Sequence, residues 1–400
     1  MTDQQIETIH AALDAFNIET PSWGYADTGT RFGKFFQPGA AIDIGDKIAD
    51  AGQVHRVTGC CPLVALHILW DFKEQTTPEY VAGLAGQQNV QIGSMNPNVF
   101  QDQPYRLGSF GNPDAEVREQ ALQHCVDSVK LGQRVNSQYV TLWFADGTNY
   151  PGQDCIRTRK QRFAENLQAC HQQLTENQIL LIEYKPFEPA FYQTDIADWG
   201  MAYILAKRAG PQARVLVDTG HHYLAQNVEQ IVAWLLDEDM LGGFHFNDRR
   251  YADDDLTVGS IDPYQVFRIF AEIHSFAWDR GGQYPSIAYM IDQSHNLKPK
   301  VEAMIQTATF SQELYAKAAL IDFESLAGHR EAGRIVDAER LFQDAFATDV
   351  RPALAIWREL SGLAADPLAA HRESGYDALA VEDRSRRRRE LGINQSTSYA

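Results

Sequence analysis

Short β-rich runs that end on polar residues recur through the first three-quarters of the chain, and segments with helical spacing of apolar residues separate them. The runs are PSWGYA from Pro21, VALHILW from Val64, VQIGSMN from Val90, YVTLWFA from Tyr139, ILLIEYK from Ile179, RVLVDTG from Arg214, GGFHFND from Gly242 and SIAYMID from Ser286. Strand-like runs alternating with helices are the pattern of parallel βα units, and eight is the number that closes a (β/α)8 TIM barrel. An open doubly wound sheet would need a Gly-rich phosphate turn after its first strand, and none is present.

The segments after Asn112 (PDAEVREQALQHCVDSVKLG) and from Asn227 (NVEQIVAWLLDEDM) carry apolar residues at three-to-four spacing, with helix starts at Pro113 and Asn227. From Lys298 onward the chain reads as helix after helix. The expected organisation is a catalytic barrel over residues 1–295, begun by a short N-terminal helix, and a helical C-terminal extension over 296–400 for subunit association, with packing on its own barrel as the alternative. The stretch from Arg31 to Ala41 is Gly-rich and aromatic, and is expected to be a loop that contacts substrate or a subunit.

Composition narrows the partners. A chain with 44% hydrophobic and 22% charged residues buries an ordinary globular core. Its formal charge of -18 opposes nucleic acid and anionic membranes and favours a neutral substrate or a cation. The basic run Arg384 to Arg389 is expected to be a solvated helix end. Cys60, Cys61, Cys125, Cys155 and Cys170 have neither CxxC nor zinc-finger spacing, the N-terminus lacks a signal pattern, and no apolar run approaches a membrane span, so a cytoplasmic protein is expected.

In a (β/α)8 barrel the C-terminal ends of the strands face the active-site mouth. Here the fifth run ends in Glu183 and Lys185, the sixth in Asp218, the seventh in His245 and the eighth in Asp292. Buried carboxylates repel one another unless a cation compensates, and oxygen ligands with one imidazole suit Mn²⁺, Mg²⁺ or Co²⁺. His221 stands three residues past Asp218, and Asp253-Asp254-Asp255 follows the seventh run. His221, Asp253 and Asp255 are expected to hold a second ion, with Asp218 shared between the two. His67 lies on the second run, and Trp23, Trp70 and Trp143 at strand ends offer aromatic faces to the C–H faces of a sugar.

The motifs PSWGYADTGTRF, LHILWD, WFADGTNYPGQ, EYKPFEPAFY, LVDTGHH, GGFHFNDRRYADDDL and MIDQSHN together resemble the L-rhamnose isomerase family, closest to its broad-specificity bacterial branch, which is related to xylose isomerases. The resemblance implies a structural metal site of Glu183, Asp218, His245 and Asp292 and a catalytic one that uses His221, Asp253 and Asp255. It also implies that Lys185 steers a substrate hydroxyl, that His67 assists ring opening and that Phe32 reaches into a neighbouring subunit's pocket. Two divalent cations per subunit follow, Mn²⁺ first and Co²⁺, Mg²⁺ or Zn²⁺ as alternatives, in a cytoplasmic homotetramer or dimer. The family's pattern has His more often at the position of Tyr184 and Pro at that of Leu69. Those departures leave the ligands intact and bear on substrate preference.

The expected reaction moves hydrogen between C1 and C2 of an open-chain sugar, L-rhamnose to L-rhamnulose or a related aldose. Two routes stay open, a hydride shift with the sugar oxygens polarised by metal ions and an enediol route in which Asp292 is a candidate to take the carbon-bound proton. Asp292, Lys185, His67 and Asp255 are the catalytic candidates. A ketose 3-epimerase on the same barrel and a non-catalytic sugar-binding protein are the alternatives. The first would require Glu183 and Asp292 to serve as paired bases; the second would not require a full ligand set.

Overall fold

The computed structural model describes the chain except residues 31–32, 74–75, 189–191, 251–254 and 394–400. Eight strands, β1 (Ile18–Pro21), β2 (Leu63–His67), β3 (Gln91–Asn96), β4 (Tyr139–Leu142), β5 (Ile179–Glu183), β6 (Ala213–Asp218), β7 (Leu241–Phe246) and β8 (Ala288–Ile291), close into one barrel in sequence order. Every neighbouring pair is parallel, including β1 with β8, which shuts the ring. Helices join them. After α1 (Asp3–Ala15) come α2 (Ile44–Thr58), α3 (Pro78–Gln87), α4 (Ala115–Arg134), α5 (Ile156–His171), α6 (Trp199–Ala209), α7 (Val228–Asp237), α8 (Pro263–Asp279) and α9 (Lys300–Ala319). Their starts follow local chemistry: the side chains of Asp114, Asp198, Asn227 and Asp262 each cap the first turn of the helix they precede.

Alternation within each strand decides what reaches the site. Leu180, Ile182, Val215 and Val217 join the large core under the helices. Leu181, Leu216 and Met290, one residue out of step, join Tyr139 and Ala288 in a separate small cluster, the lumen of the barrel. Two residues beyond Leu181, Leu216 and Met290 stand Glu183, Asp218 and Asp292, which therefore share the lumen face at its C-terminal rim.

The first strand lies earlier than its sequence run. PSWGYA forms the last residue of β1 and a 3-10 turn over Ser22–Tyr25, while the strand itself contains Glu19 and Thr20, both buried. Glu19 escapes an apolar reading because the lumen solvates it: it accepts the Ser94 amide at 2.9 Å and the Ser94 hydroxyl at 2.5 Å. Gly93 makes room, since a Cβ there would lie 1.8 Å from the Glu19 carboxylate. Burial pushes the Glu19 pKa above its usual value, against the Ser94 hydrogen bonds.

Beyond α9, which completes the ring, α10 (Phe323–Glu331), α11 (Ile335–Ala347), α12 (Arg351–Leu360), α13 (Pro367–Glu373) and α14 (Tyr376–Glu390) form the helical C-terminal part. It packs on its own barrel: Val350, Leu354 and Trp357 close over Ile9, Leu13 and Ala316. The arginine run in α14 is only in part the solvated helix end its composition suggested: Arg386 and Arg389 are exposed, but the other arginines are not. Arg384 is 3% exposed and forks onto Asp50 of α2 at 2.8 and 2.9 Å, where Tyr376 also donates at 2.7 Å. Arg387 pairs with Asp46 at 2.7 Å and Arg388 with Asp27 at 2.6 Å. Acidic residues far away in sequence thus neutralise Arg384, Arg387 and Arg388, whereas Arg386 pairs within its own helix, and charge counting within a window misses the distant pairs. No described helix is long and apolar enough to cross a membrane.

Candidate metal centre and active site

Glu183, Asp218, His245 and Asp292 bring one ligand atom each to within 4.8 Å of one another. His245 Nδ1 lies 3.3 Å from Glu183 Oε2, 3.8 Å from Asp292 Oδ2 and 4.0 Å from Asp218 Oδ2. Oxygen ligands about 2.1 Å from an octahedral ion stand about 3 Å apart in cis and about 4.2 Å in trans, so this spacing suits a single divalent cation. His245 Nδ1 is buried and makes no hydrogen bond among the described residues, with the three carboxylates as its nearest charged neighbours. Three hard oxygens and one imidazole form a donor set for Mn²⁺, Mg²⁺ or Co²⁺. The residues fit a metal.

Neighbours hold the ligands in place. Trp23 Nε1–H donates to Asp292 at 2.8 Å, and the Asn247 amide donates to both oxygens of Asp218 at 3.0 and 3.1 Å, joined by the Gly220 N–H at 2.7 Å. Charge within the cluster follows from burial. Desolvation opposes ionisation of Glu183, but His245 and His221 outweigh it and hold the carboxyl at about 2. Desolvation likewise opposes the His245 imidazolium, yet Glu183, Asp292 and Asp218 raise it to about 9. Without a metal, a proton on His245 serves as the compensating charge.

His221 stands beside this cluster. Its Nδ1 lies 3.0 Å from the Tyr184 carbonyl and 3.2 Å from Glu183 Oε1, and its Nε2 lies 3.8 Å from Asp218 Oδ2. Asp218 therefore sits between His245 and His221. Asp255 lines the same cavity with a left-handed backbone (φ 45°). Asp253 and Phe32 lie outside the described residues.

Above the carboxylates a cavity of about 620 Å³, counting its solvent-open part, is walled by Trp23, His67, Trp70, Trp143 and Lys185. His67 stacks on Trp70 (centroids 3.7 Å apart, 21° between planes), and Trp23 meets His67 edge-on at 5.9 Å. The Lys185 ammonium lies 4.9 Å from the centroid of the Trp143 ring. Burial, reinforced by Lys47 and His124, lowers the His67 pKa to about 3, so the imidazole is neutral. One side of the cavity is thus aromatic and the other ionic, the arrangement that receives C–H faces and hydroxyls together.

The sequence, through its strand ends, the spacing of His221 and the acidic run, pointed to ten residues that surround this one cavity, with Asp218 fully buried beneath it. It missed Asn96, Thr141 and Phe100, which also line it. Asn96 ends β3 and Thr141 precedes Trp143 by two, so the rule of alternation reaches both. It also missed Asp71, which accepts the His67 N–H at 2.7 Å, the Ser22 hydroxyl at 2.5 Å and the Lys47 ammonium at 2.5 Å. Nothing local distinguishes that aspartate from a helix-turn residue; only the meeting of β1, β2 and α2 gives it a role.

Residues 61–296 match the family model for the xylose isomerase-like TIM barrel. A probable sugar isomerase of Rhizobium meliloti strain 1021 is 38% identical over 384 residues, covering 95% of this chain and 89% of that protein. A probable sugar isomerase of Mesorhizobium japonicum is 38% identical over the same length, covering 95% and 88%. Among solved structures, an L-ribulose 3-epimerase aligns with a TM-score of 0.53 at 11% identity, over 80% of this chain and 98% of that one. A 3-keto-D-glucoside 4-epimerase from E. coli aligns with a TM-score of 0.52 at 13% identity, over 74% and 98%. These two share the fold. With a closed parallel barrel, a ligand cluster at its C-terminal rim and a family match over more than half its length, the chain belongs to the xylose isomerase-like TIM barrel family.

Proposed function

We propose that this protein is a metal-dependent aldose–ketose isomerase that moves hydrogen between C1 and C2 of an open-chain sugar. The observation that carries the reading is the convergence of Glu183, Asp218, His245 and Asp292 under a cavity that also presents His67, Lys185 and Asp255. Glu183, Asp218, His245 and Asp292 would hold one cation, and His221, Asp253 and Asp255 a second, with Asp218 shared. Bound there, divalent ions, Mn²⁺ foremost, would supply Lewis-acid polarisation of sugar oxygens. The family match and the two probable sugar isomerases support a sugar substrate.

The chain's own groups then divide the work. Neutral His67 accepts a hydrogen bond from a sugar hydroxyl during ring opening, its plane set by Trp70. Lys185, fixed over Trp143, donates to a sugar oxygen. Asp292, oriented by the Trp23 N–H and partly exposed, is the carboxylate placed to take or relay a proton next to the reacting carbons. Trp23 and Trp143 shield that step from water. The motif resemblance favours L-rhamnose as substrate, with L-mannose, L-lyxose and D-allose accepted because an apolar wall separates such sugars by only about 1–3 kcal/mol per group. It favours a homotetramer as well, in which Phe32 meets a neighbour's cavity.

The test is a turnover screen of those four aldoses with metal-stripped protein and with protein reloaded with Mn²⁺. Activity should be absent without metal and return with it. Failure with every aldose and metal would leave sugar binding as the better description. One observation favours a second reading, a ketose 3-epimerase: Glu183 and Asp292 come from strands with two others between them, so the two carboxylates would reach a bound ion and a sugar from different parts of the rim. A product that is only the C3-inverted ketose, from a ketose substrate, would select it.

A further inference from the structure

The three residues that follow β7, Asn247, Asp248 and Arg249, are each buried, and none lines the substrate cavity. They nevertheless hold the two loops from which the ligands of the outer ion come. Toward the β6 loop, Asn247 donates its backbone N–H to the Thr219 hydroxyl at 3.0 Å and its side-chain amide to Asp218. Arg249, 5% exposed, spends its guanidinium on carbonyls of the same loop: Nε on His222 at 2.5 Å, Nη1 on Thr219 at 3.0 Å and Nη2 on Tyr223 at 3.1 Å. His221 sits within the span so gripped. Residues 219–223 form neither helix nor strand, so these bonds take the place of a ladder.

Toward the other loop, Asp248 and Leu256 exchange both backbone hydrogen bonds at 2.9 Å, closing the base of the segment that carries Asp255. The Asp248 carboxylate also accepts the Ile261 and Asp262 amides at 2.7 and 2.9 Å. Asp255, adjacent to this closure, has φ 45°, a left-handed turn that aspartate accommodates more readily than most residues. One short segment therefore anchors both loops.

We propose that Asn247–Asp248–Arg249 is a latch that sets the distance between His221 and Asp255, with Arg249 the positioning residue for His221. The inference rests on the two-ion reading above. The Tyr184 carbonyl fixes the Nδ1 side of the His221 ring, which leaves Nε2 as the ligand atom. Where that atom points depends on the loop backbone, and Arg249 holds that backbone by carbonyls on both sides of His221, those of Thr219, His222 and Tyr223. A lysine keeps the charge but lacks the fork needed to reach three carbonyls.

Two-site Mn²⁺ titration calorimetry on metal-stripped parent, Arg249→Lys and Arg249→Met tests this, with melting curves as a control for folding. The expected result is an outer-site affinity lowered about 10- to 100-fold, inner-site affinity unchanged and kcat reduced more than KM is raised. Arg249→Lys guards against a methionine variant that fails to fold. In it, hydrogen exchange of amides 219–223 should quicken while the barrel strands keep their protection. A parent that binds two ions, with both variants within twofold of it at both sites, overturns the latch alone. A parent that binds a single ion overturns the two-ion reading and the latch together.

Discussion

At the scale of the residue, the site is governed by where charge is compensated. His245 is raised to about 9 by its carboxylate neighbours, so at pH 7 the metal-free protein carries a proton that an entering cation must displace. Apparent metal affinity should climb about tenfold per pH unit from 7 to 9 and then level, with about one proton released on binding. Calorimetry in buffers of different ionisation enthalpy measures that proton; none released, or a flat profile, defeats the assignment. The sign for stability runs the other way. A histidine whose folded pKa is raised stabilises the metal-free fold fully below its ordinary value near 6.5 and loses that contribution as pH rises through 9, so melting of stripped protein should fall over that window. Asp255 offers a test of role: Asp255→Asn should lower turnover at least about 100-fold while leaving the melting temperature near the parent's, and unfolding at ordinary temperature would contradict a purely catalytic role. Of these residues, Glu183, Asp218, His245 and Asp292 were legible as strand-end polar groups. Asn247 and Asp71 were not, because their importance lies in what they face rather than in where they fall.

At the scale of the element, the informative cases are β1 and α14. A strand whose inward residue is Glu19 reads as a break in an apolar pattern, and the aromatic PSWGYA beside it draws the eye instead. Strand alternation is a rule about faces, and a lumen that contains Ser94 and the Glu183, Asp218, His245 and Asp292 cluster accepts a carboxylate on its face. The arginines of α14 show the opposite error. A basic run looks solvated until Asp46 and Asp50 of α2 and the Asp43 that caps it are laid against Arg384 and Arg387. Removing one partner of a buried pair leaves the other uncompensated, at a cost of about 3–5 kcal/mol. Arg384→Met should therefore destabilise the protein by about that much in urea unfolding, against less than about 1 kcal/mol for Arg386→Met, whose partners are exposed. Equal effects would mean that α14 is merely draped on the barrel.

At the scale of the whole molecule, strands β5 to β8 each contribute one ligand to the cluster, so a bound cation ties four strands of the closed ring together. A ligand that binds only the folded state stabilises it by about 2.7 kcal/mol at a hundred times its dissociation constant. Mn²⁺ at that excess should raise the melting temperature of stripped protein by several degrees, and chelator should reverse the shift; an unchanged melt would show that the cluster holds no ion. The sequence by itself determined the repeating βα units, the closure number and the polar residues that end the strands, because each is a property of short windows: periodicity, turn chemistry and residue type. It also carried the likeness to sugar isomerases, through motifs at those same strand ends. Tertiary structure alone decided which polar residues share a face, where β1 begins, and which acids neutralise the basic tail. It also decided how one segment after β7 grips two loops. These depend on contacts between residues far apart in the chain, and such contacts exist only once the barrel has closed.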